Sequence, residues 1–306
     1  MESEKVNHFM YCPFTGLGLY NGHRGKRWLK NRIKIFKQFV SPSLLAQTNK
    51  DFILWISWCH SDRGEGIIDE FKRYLDERFE KVVFTYSGVC FWDDKYSDEI
   101  ARERLIDAIH GSMGDLLNVM NDSDTVLMTI QPSDDCYNTS AVARIQEALK
   151  DDTVQFVGYK SGYVMDYKTG EIREWNPTTT PPFYTIKFTK ETFGMHHPLK
   201  HLEYTGPYKS HEYVKDYLNG QYFLERGFIV GTHGENISTI FKHPFTGEKV
   251  GEGTKHFFGL EDTGLLKLNT SIRKTVMRKL PHNWQKKLRY LLGERFYAKL
   301  YDFIRS

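Results

Sequence analysis

Across the first 160 residues, short apolar runs take turns with stretches whose apolar residues return every three or four positions, and nothing else in the chain constrains its fold as tightly. The runs are Val6–Cys12, Phe52–Trp58, Lys81–Thr85, Thr125–Ile130 and Thr153–Tyr159. The second, FILWISW, has no polar alternation, the pattern of a strand covered on both faces of a parallel sheet. Between the runs, Leu29, Ile33, Phe36 and Val40 fall on one helical face, with Pro42 marking that helix's end or a kink. Ile68, Phe71, Leu75 and Phe79 do the same within Glu65–Phe79. Ser97 caps a predicted long helix striped by Ile106, Ile109, Met113, Leu116 and Met120, and a further helix is expected from Asn138 or Thr139 to about Leu149. Alternation of this kind predicts an α/β protein with an open, mainly parallel sheet flanked by helices. Ligands of such sheets bind beyond the carboxyl ends of the strands, so chemistry is expected in the loops after Cys12, Trp58 and Ile130.

After residue 160 the pattern changes. Gly162–Asp166 and Glu171–Trp175 predict a hairpin closed by Lys168–Gly170. Pro-, Tyr- and His-rich loops are expected from there to 209, then a helix from Ser210 and a Gly/His-rich segment over 227–256. No linker separates this half from the first.

Charge is unevenly placed. Ser271–Ser306 holds ten basic residues and two acidic ones, a surplus of +8 in a chain whose net charge is +3, so the rest of the chain carries −5. Within 284–304, Trp284, Leu288, Leu291, Leu292, Phe296, Leu300 and Phe303 recur at helical spacing among Lys286, Lys287, Arg289, Arg295 and Lys299. Such a basic amphipathic helix either lies on an anionic membrane surface or docks its apolar stripe on the body. Because the body is net acidic, nucleic acid is disfavoured as a partner. The four cysteines, at 12, 59, 90 and 136, form no C-x-x-C pair, which argues against a zinc ribbon and for reduced thiols. No stretch approaches the roughly 20 apolar residues of a spanning helix, and MESEKVNHFM lacks the regions of a secretory signal. The expected location is cytoplasmic, with peripheral contact at the inner face of the membrane through the tail.

The sharpest local feature is TVLMTIQPSDD at 125–135, an apolar strand running through a Pro-Ser turn into Asp134 and Asp135. Two carboxylates at a strand's carboxyl end can hold Mg2+ or Mn2+, and the cation can hold a diphosphate. The alternative is an acidic turn that caps the next helix. The loop TGLGLYNGHRGKR, 15–27, follows the first strand and is not a P-loop; either it is a flexible surface loop, or its glycine N–H groups with Arg24 or Lys26 approach phosphates. Arg102 and Arg104 could also reach phosphate from the long helix, or lie on its solvated face.

Residues 31–52 form a basic amphipathic stretch leading into P-S-L-L-x-Q-T-x-x-D-F before an apolar strand. This resembles the start of nucleotide-sugar glycosyltransferases of the GT-A type, closest to a bacterial rhamnosyltransferase family. Thr129–Asp135 sits where that family has a strand ending in clustered aspartates, and GYVMD at 162–166, PFYTI at 182–186 and THGEN at 232–236 match its later segments in order. The resemblance spans roughly residues 28 to 240. It implies a Rossmann-like domain over 1–265, with a nucleotide-sugar-binding half at 1–160 and an acceptor-side half at 161–265, followed by the basic helical tail at 266–306. It further implies hexosyl transfer from a nucleotide-diphosphate sugar donor to a glycan or lipid-linked acceptor, as in polysaccharide biosynthesis, with Mg2+ or Mn2+ at the aspartate cluster.

The resemblance has departures. The family's cluster follows an arginine and begins with an earlier aspartate, where this chain has Ile130 and Pro132. The family's second strand ends in an aspartate near the base, where here the nearest carboxylate is Asp62. His233 in THGEN is expected as a metal or phosphate ligand, or as a packed loop histidine. Asn236 is expected to bond a sugar hydroxyl or to cap its segment, and Asp166 to face the acceptor or to begin the hairpin turn. Glu203 and Glu235 are the candidate general bases, each equally readable as a solvated carboxylate. Two other classes compete: a non-catalytic module that binds nucleic acid or a membrane through the tail, and a metal-dependent phosphohydrolase using the same aspartates.

Overall fold

The computed structural model describes residues 6–15, 25–88, 111–178, 181–193, 214–234, 236 and 239–268. The apolar runs are strands: β1 (Asn7–Cys12), β2 (Ile53–Cys59), β3 (Val82–Gly88), β4 (Thr125–Ile130) and, after the two-residue β5 (Cys136–Tyr137), β6 (Phe156–Tyr159). The expected hairpin is β7 (Gly162–Asp166) with β8 (Ile172–Trp175). Later come β9 (Tyr184–Thr189), β10 (Gly220–Phe223), β11 (Phe228–Thr232) and β12 (Thr246–Lys249). The helices are α1 (Gly25–Ile35), α2 (Ser41–Leu45), α3 (Gly66–Asp76), α4 (Met113–Leu117), α5 (Ala141–Ala148) and α6 (Val214–Tyr217).

Seven strands form the large sheet in the order β10-β6-β9-β4-β1-β2-β3. β1 pairs in parallel with β2 and β4, and β2 with β3. The chain therefore moves outward from β1 to β3, then returns to β1's other side with β4. That reversal is the topological switch point, the place beyond the strands' carboxyl ends where open α/β sheets receive their ligands. The α/β class with a mainly parallel sheet flanked by helices is thus present.

Side chains alternate across the sheet. Met10, Cys12, Leu54, Ile56 and Trp58 share a core with Leu29, Ile33 and Phe36 of the α1 segment, Phe71 of α3 and Ile145 of α5. Phe9, Tyr11, Ile53 and Trp55 face the other way, toward Met113 and Leu116 of α4 and Val214 of α6. The unbroken apolar run of β2 follows from this double covering. The small sheet, β12-β8-β7-β11-β5, shares a third core with Ile35 and Phe39, so the α1 segment is gripped between the two sheets.

One expectation needs correction. Tyr184–Thr189, read as loop, is a strand running antiparallel between β4 and β6. Its buried Tyr184, Ile186 and Phe188 complete the α4 face, and the prolines beside it obscured a stretch of good strand formers. Of the two readings of Pro42, an end or a kink, the structure shows an irregular turn with the chain helical beyond it. One turn of π-helix, Phe36–Val40, joins α1 to α2, whose first turn contains Pro42. Proline cannot donate to the carbonyl four residues back, and the wider turn absorbs both the missing bond and the ring.

The start of the long helix from Ser97 and most of the basic tail, 269–306, lie outside the described residues. Among the described residues, no helix is long and apolar enough to cross a membrane.

Candidate functional site

Beyond β4 the chain folds into a tight turn that delivers Asp134 and Asp135 to the switch point. Gln131 Nε2 donates to the carbonyls of Pro132 (2.8 Å) and Asp135 (2.9 Å), and the Tyr167 hydroxyl donates to the Asp134 carbonyl (2.8 Å). Tyr167 is itself stacked on Phe39 of the π turn, with ring centroids 3.6 Å apart. The acidic turn is therefore fixed by its backbone, which leaves the two side chains to be placed by other elements.

Each carboxylate meets a different element. Asp135 Oδ1 accepts the Gly231 N–H of β11 at 2.9 Å. Asp134 Oδ2 accepts Arg32 Nη1 of α1 at 2.5 Å and lies 3.0 Å from His233 Nε2 and 3.4 Å from Asn236 Nδ2. Arg32 Nη1 and His233 Nε2 are 3.1 Å apart, so the three polar atoms form a triangle. Arginine has only donors, so the imidazole nitrogen either donates to Asp134 or accepts from Arg32, according to its tautomer. The cluster is enclosed: relative exposure is 3% for Arg32, 1% for His233 and 8% for each aspartate. Removing one partner from such a buried pair costs about 3–5 kcal/mol, because the other charge is stranded.

These surroundings drive the two aspartates apart. Burial by itself would raise Asp134, but the Arg32 guanidinium and His233 outweigh it and hold the carboxyl down to about 2. Asp135 is pushed well above the ordinary carboxyl range, first by burial and then by the negative charge of Asp134, against the Gly231 N–H bond. Cys12, at the end of β1, is raised well above the usual thiol range by burial and is no ready nucleophile.

The sequence candidates separate on this geometry. Asp134, Asp135, His233 and Asn236 come together. Asn236 braces the turn, accepting the His233 N–H on Oδ1 (2.9 Å) and donating to the Gly231 carbonyl (2.6 Å). Asp62 closes the short 3-10 turn His60–Asp62 after β2 and accepts the Thr15 hydroxyl at 2.5 Å, tying the loops after β1 and β2 together. Asp166 shapes the β7–β8 turn by accepting the Lys168 N–H at 2.9 Å. Arg24, Arg102, Glu203 and Glu235 lie outside the described residues. Sequence reasoning missed Arg32, Tyr167 and Gly231. The signal for Arg32 was its place at helical spacing from Ile35 and Phe39, a charged residue on an apolar stripe.

A divalent cation needs several ligands converging at about 2.0–2.6 Å. Among the described residues, no group of three or more His, Cys, Asp or Glu side chains is arranged to hold a metal ion. Asp134 Oδ2 is crowded by three nitrogens, Asp135 Oδ1 is committed to a backbone N–H, and Pro132 brings no ligand two residues upstream. As arranged, Asp134, Asp135 and His233 do not fit the expected Mg2+ or Mn2+.

No protein-family model matches the chain, and no curated protein matches it. Among solved structures it is similar to S. aureus TarS residues 1–349, at 12% identity and a TM-score of 0.38, over 74% of this chain and 60% of that one. The same fragment in complex with UDP gives 12% and 0.32 over the same shares, and a longer TarS structure gives 14% and 0.25 over 53% of this chain and 21% of that one. The match thus spans less than two thirds of each of these structures. At these values the likeness carries no argument about what the chain does.

Proposed function

We propose that the chain is a GT-A-type glycosyltransferase that takes a sugar from a nucleotide-diphosphate donor. The observation that carries this reading is the meeting of Arg32, Asp134, Asp135 and His233 at the switch point between β1 and β4, where open α/β sheets receive their ligands. The nucleoside lies across the ends of β1 and β2, beside Thr15 and Asp62, and the diphosphate points toward the 131–135 turn. The acceptor, a glycan or lipid-linked glycan, approaches from the side of Asp166 and Asn236.

In transfer, the acceptor hydroxyl oxygen bonds to the sugar's anomeric carbon, and the bond from that carbon to the diphosphate oxygen breaks. The nucleoside diphosphate leaves with the electron pair, and the hydroxyl proton passes to a carboxylate, for which Glu203 and Glu235 are the candidates. The enclosed cluster supplies a charged wall whose groups are already oriented before the donor arrives.

The test is calorimetry of the full chain with UDP, the nucleotide in one of the similar structures, and with GDP, ADP and dTDP. Release of nucleoside diphosphate from the matching sugar donors, with and without glycan acceptor, is then followed. At least one nucleotide is expected to bind, and Asp134→Asn is expected to cut turnover about a hundredfold through lost positioning. If none of the four binds, the reading fails. Acceptor-independent release alone would point to a hydrolase instead.

A further inference from the structure

Resting on the nucleotide-diphosphate reading above, we propose that Arg32 takes the place a divalent cation would hold, so that the site binds its diphosphate without a resident metal. Position is the first ground. A cation serving Asp134 would have to reach its carboxylate oxygens, and a guanidinium nitrogen already stands 2.5 Å from Oδ2, with His233 Nε2 and Asn236 Nδ2 on the same atom at 3.0 and 3.4 Å. A second positive centre entering there would face Arg32 at close range in an enclosed site, where like charges repel strongly.

The ligand set is the second ground. Chelation by neighbouring carboxylates needs more than one oxygen turned to the same point. Asp135 Oδ1 is turned to the β11 backbone at Gly231, and the residue two before Asp134 is Pro132, whose side chain has no donor atom. Asp134 Oδ2 is in turn held by the Arg32 guanidinium at 2.5 Å, which already stands where a cation would approach that oxygen.

Permanence is the third ground. Arg32 sits on α1 between the two sheets, 3% exposed, its guanidinium carbon 5.7 Å from the Trp28 ring centroid. A guanidinium keeps its charge at every physiological pH and cannot diffuse away as a bound ion can. The chain thus carries its positive charge covalently, at the place where the sheet order reverses.

The experiment titrates the nucleoside diphosphate that binds best among UDP, GDP, ADP and dTDP into the full chain, in excess EDTA and in excess Mn2+. Wild type is expected to bind equally in both. Asp134→Asn, which uncovers the Arg32 charge, is expected to bind in EDTA at least as tightly as wild type, whereas a carboxylate-held metal site would lose its ligand there. Arg32→Gln leaves the Asp134 charge facing the diphosphate, so binding in EDTA is expected to weaken about tenfold or more and to recover in Mn2+. Should either variant fail to fold, wild type in EDTA against wild type in Mn2+ still decides the matter. Binding by wild type only in Mn2+, or loss of binding in Asp134→Asn, overturns the inference and leaves the glycosyltransferase reading standing. No binding of any nucleotide in either buffer removes that reading, and this one with it.

Discussion

Acid should destabilise this fold through one histidine far from the acidic turn. His8 lies in β1 with 1% of its surface exposed. Gln146 Nε2, an amide donor of α5, lies 3.2 Å from His8 Nδ1, so Nδ1 accepts and the ring proton sits on Nε2. Nε2 then donates to the Thr129 hydroxyl of β4 at 2.7 Å, and the Thr129 and Thr185 hydroxyls share a hydrogen bond at 2.6 Å. A second proton on Nδ1 would oppose the Gln146 amide, and burial lowers the ring from the ordinary 6.5 to about 3. The sign follows: the unfolded chain takes up a proton near pH 6.5 while the native ring refuses it, so the stability is whole above that pH and is lost as pH falls toward 3. Between about pH 7.5 and about pH 5 the native state should lose about 2 kcal/mol on this account. Urea unfolding of wild type and His8→Gln at the two pH values isolates the contribution, since every other group is common to both. The variant should lose about 2 kcal/mol less than wild type over that interval. Equal losses, or ring resonances titrating near 6.5 in the native protein, would refute the reasoning.

Gly231→Ala should unsettle the acidic turn directly, because a Cβ there would run into the Asp134 carbonyl oxygen and the Tyr167 ring, neither of which can swing aside. A loss on the order of 3 kcal/mol is expected, with weakened nucleotide binding, and a wild-type melting temperature would contradict it. Gln47→Ala should strand the Val142 N–H, which Gln47 Oε1 accepts at 3.0 Å, and the Asn138 carbonyl, which its Nε2 reaches at 2.7 Å. Thermal or urea unfolding should register a cost of about 3 kcal/mol for the two buried groups, and a change under about 0.5 kcal/mol would show that they find other partners.

What the sequence made legible follows from which forces act locally. β1 to β4 were readable because strands covered on both faces are mainly apolar, and helices lying on a sheet must show their stripe. β9 was not, because its role depends on pairing with β4 and β6, which are distant in sequence, and its neighbours Pro181 and Pro182 read as loop. The π turn was hidden for a related reason: Pro42 interrupts regular α-helical bonding, and the packing of Ile35 and Phe39 against the small sheet, which favours continuing the helix, depends on residues distant in sequence. The most recognisable stretch, PSLLAQT, turns out to tie structure together. Ser43 Oγ donates to the Tyr137 carbonyl at 2.8 Å, and Gln47 holds the start of α5, so the motif clamps the helix to the segment just beyond the acidic pair.

The acidic pair could be read from the sequence, but its counter-charge could not. Asp134 and Asp135 announce themselves as carboxylates at the end of an apolar strand, whereas Arg32 is lost among Lys26, Arg27, Lys30 and Lys34, a run that looks like a solvated face. The physics ties the two observations together. A carboxylate enclosed as Asp134 is cannot stay ionised without a partner, so a buried acidic turn obliges the chain to bury a cation as well. Of the basic residues on α1, Arg32 alone shares a helical face with Ile35 and Phe39, which enter the core of the small sheet. The pairing was therefore deducible in principle by asking which basic residue the apolar stripe would carry inward. The same reasoning explains why β11 must pass so close. Asp135, denied a second cation, is left to a backbone N–H, and only a glycine at 231 lets that strand approach the turn closely enough to offer one.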